Sequence, residues 1–217
     1  MIKPHRTVPH VPWTASHHWD LGVKRLFTLI FGLSIFGIGE ALIVQGNLGN
    51  SPWVVFADGL SQHTPLNIGW ATFVTSAVVL ALWIPLKEKP GFGTLANIAV
   101  IAYFLQVGVD FIPKTHNIYI GLLMTFGGIA IVGLGSAFYI TSGLGRGPRD
   151  GLMTSIHRLT GVRVGRVRMM VEVAALTVGF LLGGHVGIGT ALFALLIGNS
   201  LALWFAVFHH FFNSSKQ

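Results

Sequence analysis

The chain has 217 residues, of which 52% are hydrophobic and only 10% charged, with no cysteine. Soluble domains carry about 25% charged residues, so this composition excludes one. The missing cysteine excludes disulfides, iron–sulfur clusters, thiolate zinc sites and cysteine nucleophiles.

Residues 1–23 are polar and contain Pro4, Pro9 and Pro12. They read as a cytosolic tail, disordered or lying on lipid headgroups. The first apolar stretch begins too late for a signal peptide and lacks a small-residue cleavage site. His5, His10, His17 and His18 are irregularly spaced, as suits a solvated tail better than a metal site. A single membrane domain over 24–210 follows, with a short cytosolic tail at 211–217. Within it six apolar segments stand at about 26–45, 68–86, 94–112, 119–141, 168–184 and 189–209. Stretches of this length span a bilayer core of about 30 Å, and lipid offers no partner for backbone polar groups, so they must be helices. The expected fold is an all-α integral membrane protein with six transmembrane helices in contact with the bilayer.

Charge placement orients them. With the N-terminus inside, cytoplasmic segments hold 13 of the 14 Lys and Arg residues, and the external segments hold only Lys114. Both termini are then cytoplasmic. The net charge of +7 needs no nucleic-acid partner, because topology accounts for it.

A shift of 96 residues overlays 28–110 on 124–206 without gaps. Seven glycine pairs coincide, among them Gly32/Gly128, Gly39/Gly135, Gly49/Gly145 and Gly93/Gly189. GNLGNSP mirrors SGLGRGP, and PGFGT mirrors VGIGT. Repeat 1 covers about 26–112 and repeat 2 about 119–209. Each holds three spans, an odd number, so the second enters the membrane from the opposite side as an inverted repeat. The GxxxxGxG spacing in spans one and four suits tight helix packing.

After span one, and again after span four, a Gly-x-x-Pro sequence opens a helix of about 12 residues, half a bilayer long. These helices are either re-entrant, with N-terminal amides meeting at a central site, or amphipathic and interfacial. In the first case Gly49, Ser51, Pro52 and Trp53 would form one half of a site for a small anionic or polar solute. Gly145, Arg146, Gly147, Pro148, Arg149 and Asp150 would form the other. Arg146 and Arg149 exceed what topology needs and suit a phosphate or carboxylate.

Acidic residues inside apolar spans are costly and face the bundle interior. Glu40 lies between Gly39 and Ala41 and is the leading candidate for proton or cation coupling. Asp110 and Glu172 are further candidates, although Arg168 one turn before Glu172 would make a local ion pair. Asp20 and Glu88 read as solvated. Asn97, Gln106 and Asn199 could line a pathway or bond between helices. Trp70, Trp83 and Trp204 fit interfacial belts. No HExxH, GxSxG or Walker sequence is present, so neither an enzyme nor a cofactor or metal site is expected.

With SPWVVFADGL (51–60), IPLKEKPGFGTLAN (84–97), Asp110, GLGRGPRDGLM (143–153) and LLGGHVGIGT (181–190), the chain resembles the bacterial YczE/YyaS/YitT-type membrane proteins. Arg168 and Glu172 also fall where that pattern has Arg and Glu. The resemblance runs from about residue 24 to 208 and implies a multi-pass protein of the bacterial inner membrane, with transport suspected. Val54 departs from the pattern, which usually has Asp after Pro-Trp. Two functions fit: a small-solute transporter or channel, with homodimers possible, or a scaffold whose arginine-rich inner face holds a cytosolic partner or anionic lipid.

Overall fold

The computed structural model describes residues 8, 9 and 11–213, so Lys3, His5, Arg6, His10 and Lys216 lie outside the described residues. Its helices are α1 (Val23–Gln45), α2 (Pro52–His63), α3 (Ile68–Ala81), α4 (Trp83–Leu86), α5 (Phe92–Phe111), α6 (Ile118–Thr141), α7 (Pro148–Thr160), α8 (Val164–Leu181) and α9 (Ile188–Asn213). No strand occurs among the described residues.

Local chemistry sets the boundaries. Asn67 accepts the Trp70 amide at 2.9 Å and Asn117 accepts the Tyr119 amide at 2.9 Å, capping α3 and α6. Pro52 and Pro148 open the short helices, where the missing N–H costs nothing. Pro85 cannot donate to the carbonyl of Ala81, the last residue of α3, and α3 and α4 join into one apolar rod, Ile68–Leu86.

Among the described residues, five helices are long and apolar enough to cross a membrane: Val23–Gln45, Ile68–Leu86, Phe92–Phe111, Ile118–Thr141 and Ile188–Phe212. The segment expected as the fifth of six spans is α8. It is 18 residues long but carries Arg166, Arg168 and Glu172.

The centre of the bundle is the crossing of α1 and α6, which glycines bring into backbone contact. A Cβ on Gly128 would lie 2.6 Å from the Gly39 carbonyl oxygen, and one on Gly135 2.6 Å from that of Gly32. Since 39 meets 128 and 32 meets 135, the two helices run antiparallel. Gly37 admits α5 onto α1, its Cβ position being 2.8 Å from the Ile101 carbonyl, and Gly133 admits α9 onto α6 at Ser200. The glycine spacing read from the sequence thus serves close packing.

Backbone conformation and packing both recur at the 96-residue offset. Among the described residues, six of the seven positive φ angles fall in pairs: Asn47 and Gly143 (57° and 71°), Gly49 and Gly145 (109° and 128°), Lys87 and Gly183 (53° and 82°), with Gly161 at the end of α7 the exception. The α1–α5 contact recurs as α6–α9, α2–α3 as α7–α8, and α2–α8 as α7–α3. The packing of α3 along α5 does not recur, since α8 and α9 barely meet.

The segment before α1 packs onto the bundle instead of forming a separate tail. Val11 is 2% exposed, among Ala137, Phe205 and Phe208. The Trp13 indole donates to Thr141 at 3.1 Å, the Ala15 amide to the Ser142 carbonyl at 2.8 Å, and the Phe92 amide to the His18 carbonyl at 3.2 Å. The Ser16 hydroxyl donates to Asp20, which also pairs with Arg25, and these partners hold the Asp20 carboxyl below its ordinary range. Aromatic burial and backbone pairing outweigh the polar composition that suggested a loose tail. At the other end, α9 continues through the first residues of the expected C-terminal tail.

Lengthening the side chain at the α1–α6 crossing should be costly. Gly128→Val is expected to lower stability by about 1–3 kcal/mol, through overpacking against α1. Gly127→Ala, whose Cβ meets nothing within 4 Å, should be neutral. Thermal melts of the two purified variants in detergent compare them directly.

Candidate functional site

The two Gly-x-x-Pro loops are each fastened by the opposite half of the chain. The Gly189 amide at the start of α9 donates to the Leu48 carbonyl at 2.6 Å, and the Gly93 amide at the start of α5 donates to the Leu144 carbonyl at 2.8 Å. Within each clasp a threonine hydroxyl accepts a glycine amide: Gly91 to Thr94 at 3.1 Å, Gly187 to Thr190 at 3.2 Å. Thr94 also donates to the Arg146 carbonyl at 2.7 Å. Glycine is required here because the backbones touch and φ is positive. A Cβ on Gly49 would stand 2.4 Å from the Gly187 nitrogen.

So held, α2 and α7 point their first turns at one cavity of about 130 Å³. It is lined by Glu40, Ser51, Pro52 and Trp53 from one half, and by Gly147, Pro148, Arg149 and Asp150 from the other. Arg168 and Glu172 of α8 also reach it. The lining itself obeys the offset: Ser51 is matched by Gly147, Pro52 by Pro148, Trp53 by Arg149, and Glu40 by Ser136. Thr72 and Ser76 stand where the second half has Arg168 and Glu172.

The charges differ in how they are satisfied. Glu40 is 2% exposed and accepts the Ser51 hydroxyl at 2.8 Å. Asp150 accepts the Tyr139 hydroxyl at 2.5 Å. Arg168 pairs with Glu172 at 2.8 Å, the local ion pair expected from their spacing. The Arg149 side chain makes no hydrogen bond or ion pair among the described residues. Its guanidinium carbon lies 4.8 Å from the centre of the Trp53 ring, in a cation–π contact across the two halves. Glu40, Asp150 and Glu172 are within its electrostatic reach. Five guanidinium N–H donors therefore remain for an acceptor-rich occupant.

The cavity is not equally accessible from both ends. At the end that carries the N-terminal segment, Asp150 is exposed and shares with Tyr139, His18 and Arg146 a vestibule of about 380 Å³. At the other end the equivalents are Val54, 2% exposed, and Ile43, fully buried. There the Asn50 side chain donates to Asp58 at 3.2 Å, and the His185 amide donates to the same carboxylate oxygen at 2.8 Å, tying α2 to the loop before α9.

Some expected residues lie elsewhere. Gly49 and Gly145 shape the loops without lining the cavity, and Arg146 faces the vestibule. Asp110 is exposed and accepts from Gln106 at 2.7 Å, in a groove between α3 and α5. Gln106 itself accepts the Gly69 amide at 2.9 Å and so joins those helices, whereas Asn97 lines the cavity and Asn199 is exposed. Glu88 is not freely solvated: it pairs with Arg158 at 2.8 Å and accepts from Ser155 at 3.1 Å.

Trp83 is not an interfacial residue. It is 3% exposed, donates to the Pro148 carbonyl at 2.9 Å, and fills the space over Gly151. It holds the first turn of α7, and a tryptophan near a span end gave no sign of that role. Tyr139 also escaped the sequence reading, since its repeat equivalent is Ile43. Applying the offset to Glu40, Arg168 and Glu172 would have found Ser136, Thr72 and Ser76.

Residues 23–205 match a family described as a family of unknown function, DUF6198. The chain belongs to that family. It is 41% identical over 199 residues to an uncharacterized protein of Haemophilus influenzae, covering 92% of this chain and 91% of that one. It is 35% identical over 170 residues to the uncharacterized membrane protein YczE of Bacillus subtilis, covering 77% and 79% of the two. To YyaS, also uncharacterized and from Bacillus subtilis, it is 28% identical over 195 residues, covering 86% and 94%. No solved structure matches. Five apolar helices among the described residues, together with the similarity to the membrane protein YczE, make this DUF6198 chain a membrane protein in contact with the lipid bilayer.

Because the chain has no cysteine, single cysteines report access cleanly. Asp150→Cys should react quickly with a small thiol reagent in the native protein. Val54→Cys should react only after denaturation. Comparable native rates at the two positions would contradict the one-ended access described above.

Proposed function

We propose that this protein is a small-solute transporter or channel of the bacterial inner membrane, with both termini in the cytoplasm. In this reading α8 also crosses the membrane, as the fifth of six spans, its three charges turned towards the cavity and the cytoplasmic headgroups, and the two halves form an inverted repeat. The antiparallel run of the equivalent helices α1 and α6 supports that arrangement. α2 and α7 are then re-entrant half-helices, their N-termini meeting near the midplane. The solute is a small anion or a polar molecule rich in acceptors.

The observation that carries this reading is Arg149, a half-buried guanidinium on a cavity at two helix N-termini, with the Trp53 ring against it and carboxylates within electrostatic reach but no hydrogen-bond or ion-pair partner for its side chain among the described residues. Positive helix ends and unpaired guanidinium donors both favour negative charge. Glu40 lies beside it as the coupling group, a carboxylate that can neutralise or release charge as the solute binds. Glu172, paired with Arg168, contributes to the cavity wall, and Asp110 lies outside it. Among the arginines a scaffold would need, Arg158 is already tied to Glu88 and to the Leu86 carbonyl.

Proteoliposomes on a solid-supported membrane, challenged in turn with phosphate, sulfate, nitrate and small carboxylates, test this. At least one anion should give a current that falls at least about tenfold in Glu40→Gln and Arg149→Gln and persists in Asp110→Asn. The absence of any current, or currents indifferent to Arg149, would exclude a central anion site.

A further inference from the structure

The contact missing between α8 and α9 opens the central cavity sideways. In the first half, Gly69 of α3 sits against α5. A Cβ there would lie 2.9 Å from the Ala102 carbonyl oxygen and 2.6 Å from the Gln106 Cβ. The equivalents of Gly69 and Ala102 are Gly165 on α8 and Gly198 on α9, and a Cβ at either meets nothing within 4 Å. The same sequence device that seals one half therefore stands unsealed in the other.

This gap is continuous with the cavity. Its α8 lip carries Arg168 and Glu172, and its α9 lip carries Phe193, Ile197, Gly198 and Leu201, all of which line the same space as Glu40 and Arg149. One lip is charged and the other apolar. The outer surfaces of both helices are apolar and exposed, with Val173 and Phe180 on α8 at 55% and 62% and Leu195 on α9 at 73%, as lipid contact requires. A cleft leading from a guanidinium to an apolar exterior matches a molecule polar at one end and hydrocarbon at the other.

We infer that the central cavity takes an anionic amphiphile: a phosphate or carboxylate headgroup rests at Arg149, and its hydrocarbon tail leaves between α8 and α9 into the lipid. This rests on the reading of the cavity as an anion site and names the class of anion. A cavity of about 130 Å³ holds a headgroup and not a tail, so the tail must have an exit. Phe193, Ile197 and Leu201, spaced four residues apart on α9, offer one continuous apolar rail for it. Arg168 keeps two guanidinium nitrogens beyond the one that bonds Glu172, placed at the cleft to meet a second headgroup oxygen.

The test uses the full chain in maltoside micelles, with myristoyl lysophosphatidic acid as probe and native mass spectrometry as readout. One probe molecule should be retained per chain, and neither excess inorganic phosphate nor tetradecyl alcohol should displace it. Arg149→Gln should lower retention about tenfold or more. Gly198→Leu should do the same, since its side chain enters open space and fills the cleft with the fold intact, which an unchanged thermal melt verifies. Equilibrium dialysis of radiolabelled phosphate separates a soluble anion from a lipid-like one. Phosphate bound tightly through Arg149, with Gly198→Leu having no effect on the lysophosphatidic acid, overturns the inference. Retention that Arg149→Gln leaves unchanged also overturns it, as adsorption at the surface. A Gly198→Cys variant that cross-links to a second chain at every protein concentration overturns it too, by showing the cleft covered by another copy. Arg149-dependent anion currents without probe retention would sink the amphiphile and leave the anion site standing.

Discussion

The backbone contact between α1 and α6 fixes everything else in this molecule. In lipid, helices gain nothing from hiding apolar surface, because the solvent is as apolar as they are, so association depends on close packing and polar contacts. Gly32, Gly39, Gly128 and Gly135 remove the side chains that would hold the two axes apart. The crossing then presents further glycines, Gly37 and Gly133, to which α5 and α9 fit. Glu40 adjoins Gly39, so the step that brings the helices together also carries a carboxylate into the interior.

On this shared scaffold the halves have diverged in chemistry while keeping their backbone. Glu40 has a serine as its equivalent, Arg149 a tryptophan, Arg168 and Glu172 a threonine and a serine, and Asp150 a valine. Most of the charge at the cavity therefore comes from the second half, and the first supplies Glu40, hydroxyls and an aromatic face. The cation–π contact between Trp53 and Arg149 joins two positions that the repeat makes equivalent. Access follows the same division, because the end with Asp150 is open and the end with Val54 is sealed.

Much of this was legible in the residues. Apolar length gave the helices, and the offset of glycines and prolines gave the two matching Gly-x-x-Pro loops, while leaving their short helices open between re-entrant and interfacial placement. Arg168 and Glu172 gave their ion pair by spacing alone. What escaped depended on contacts far apart in sequence. Nothing local to Trp83 tells that its indole reaches the Pro148 carbonyl, and nothing in the polar run around Val11 and Trp13 tells that it meets Phe205 and Phe208. Asp110 looked like an interior acid by its place in an apolar span, but the helix turns it outward beside Gln106. The gap between α8 and α9 has no sequence signature, since Gly165 and Gly198 are the same small residues that elsewhere permit contact.

The crossed clasps bear on how the chain is made. Leu48 belongs to the first loop to leave the ribosome, yet the amide that holds its carbonyl is on Gly189, at the start of the last helix. Synthesis runs from the N-terminus, so the first loop waits through the insertion of every later helix for its fastening. Severing the chain between the halves would thus leave each with a loop whose bolt is on the other fragment, and co-expression rather than either piece alone would be needed to restore the structure.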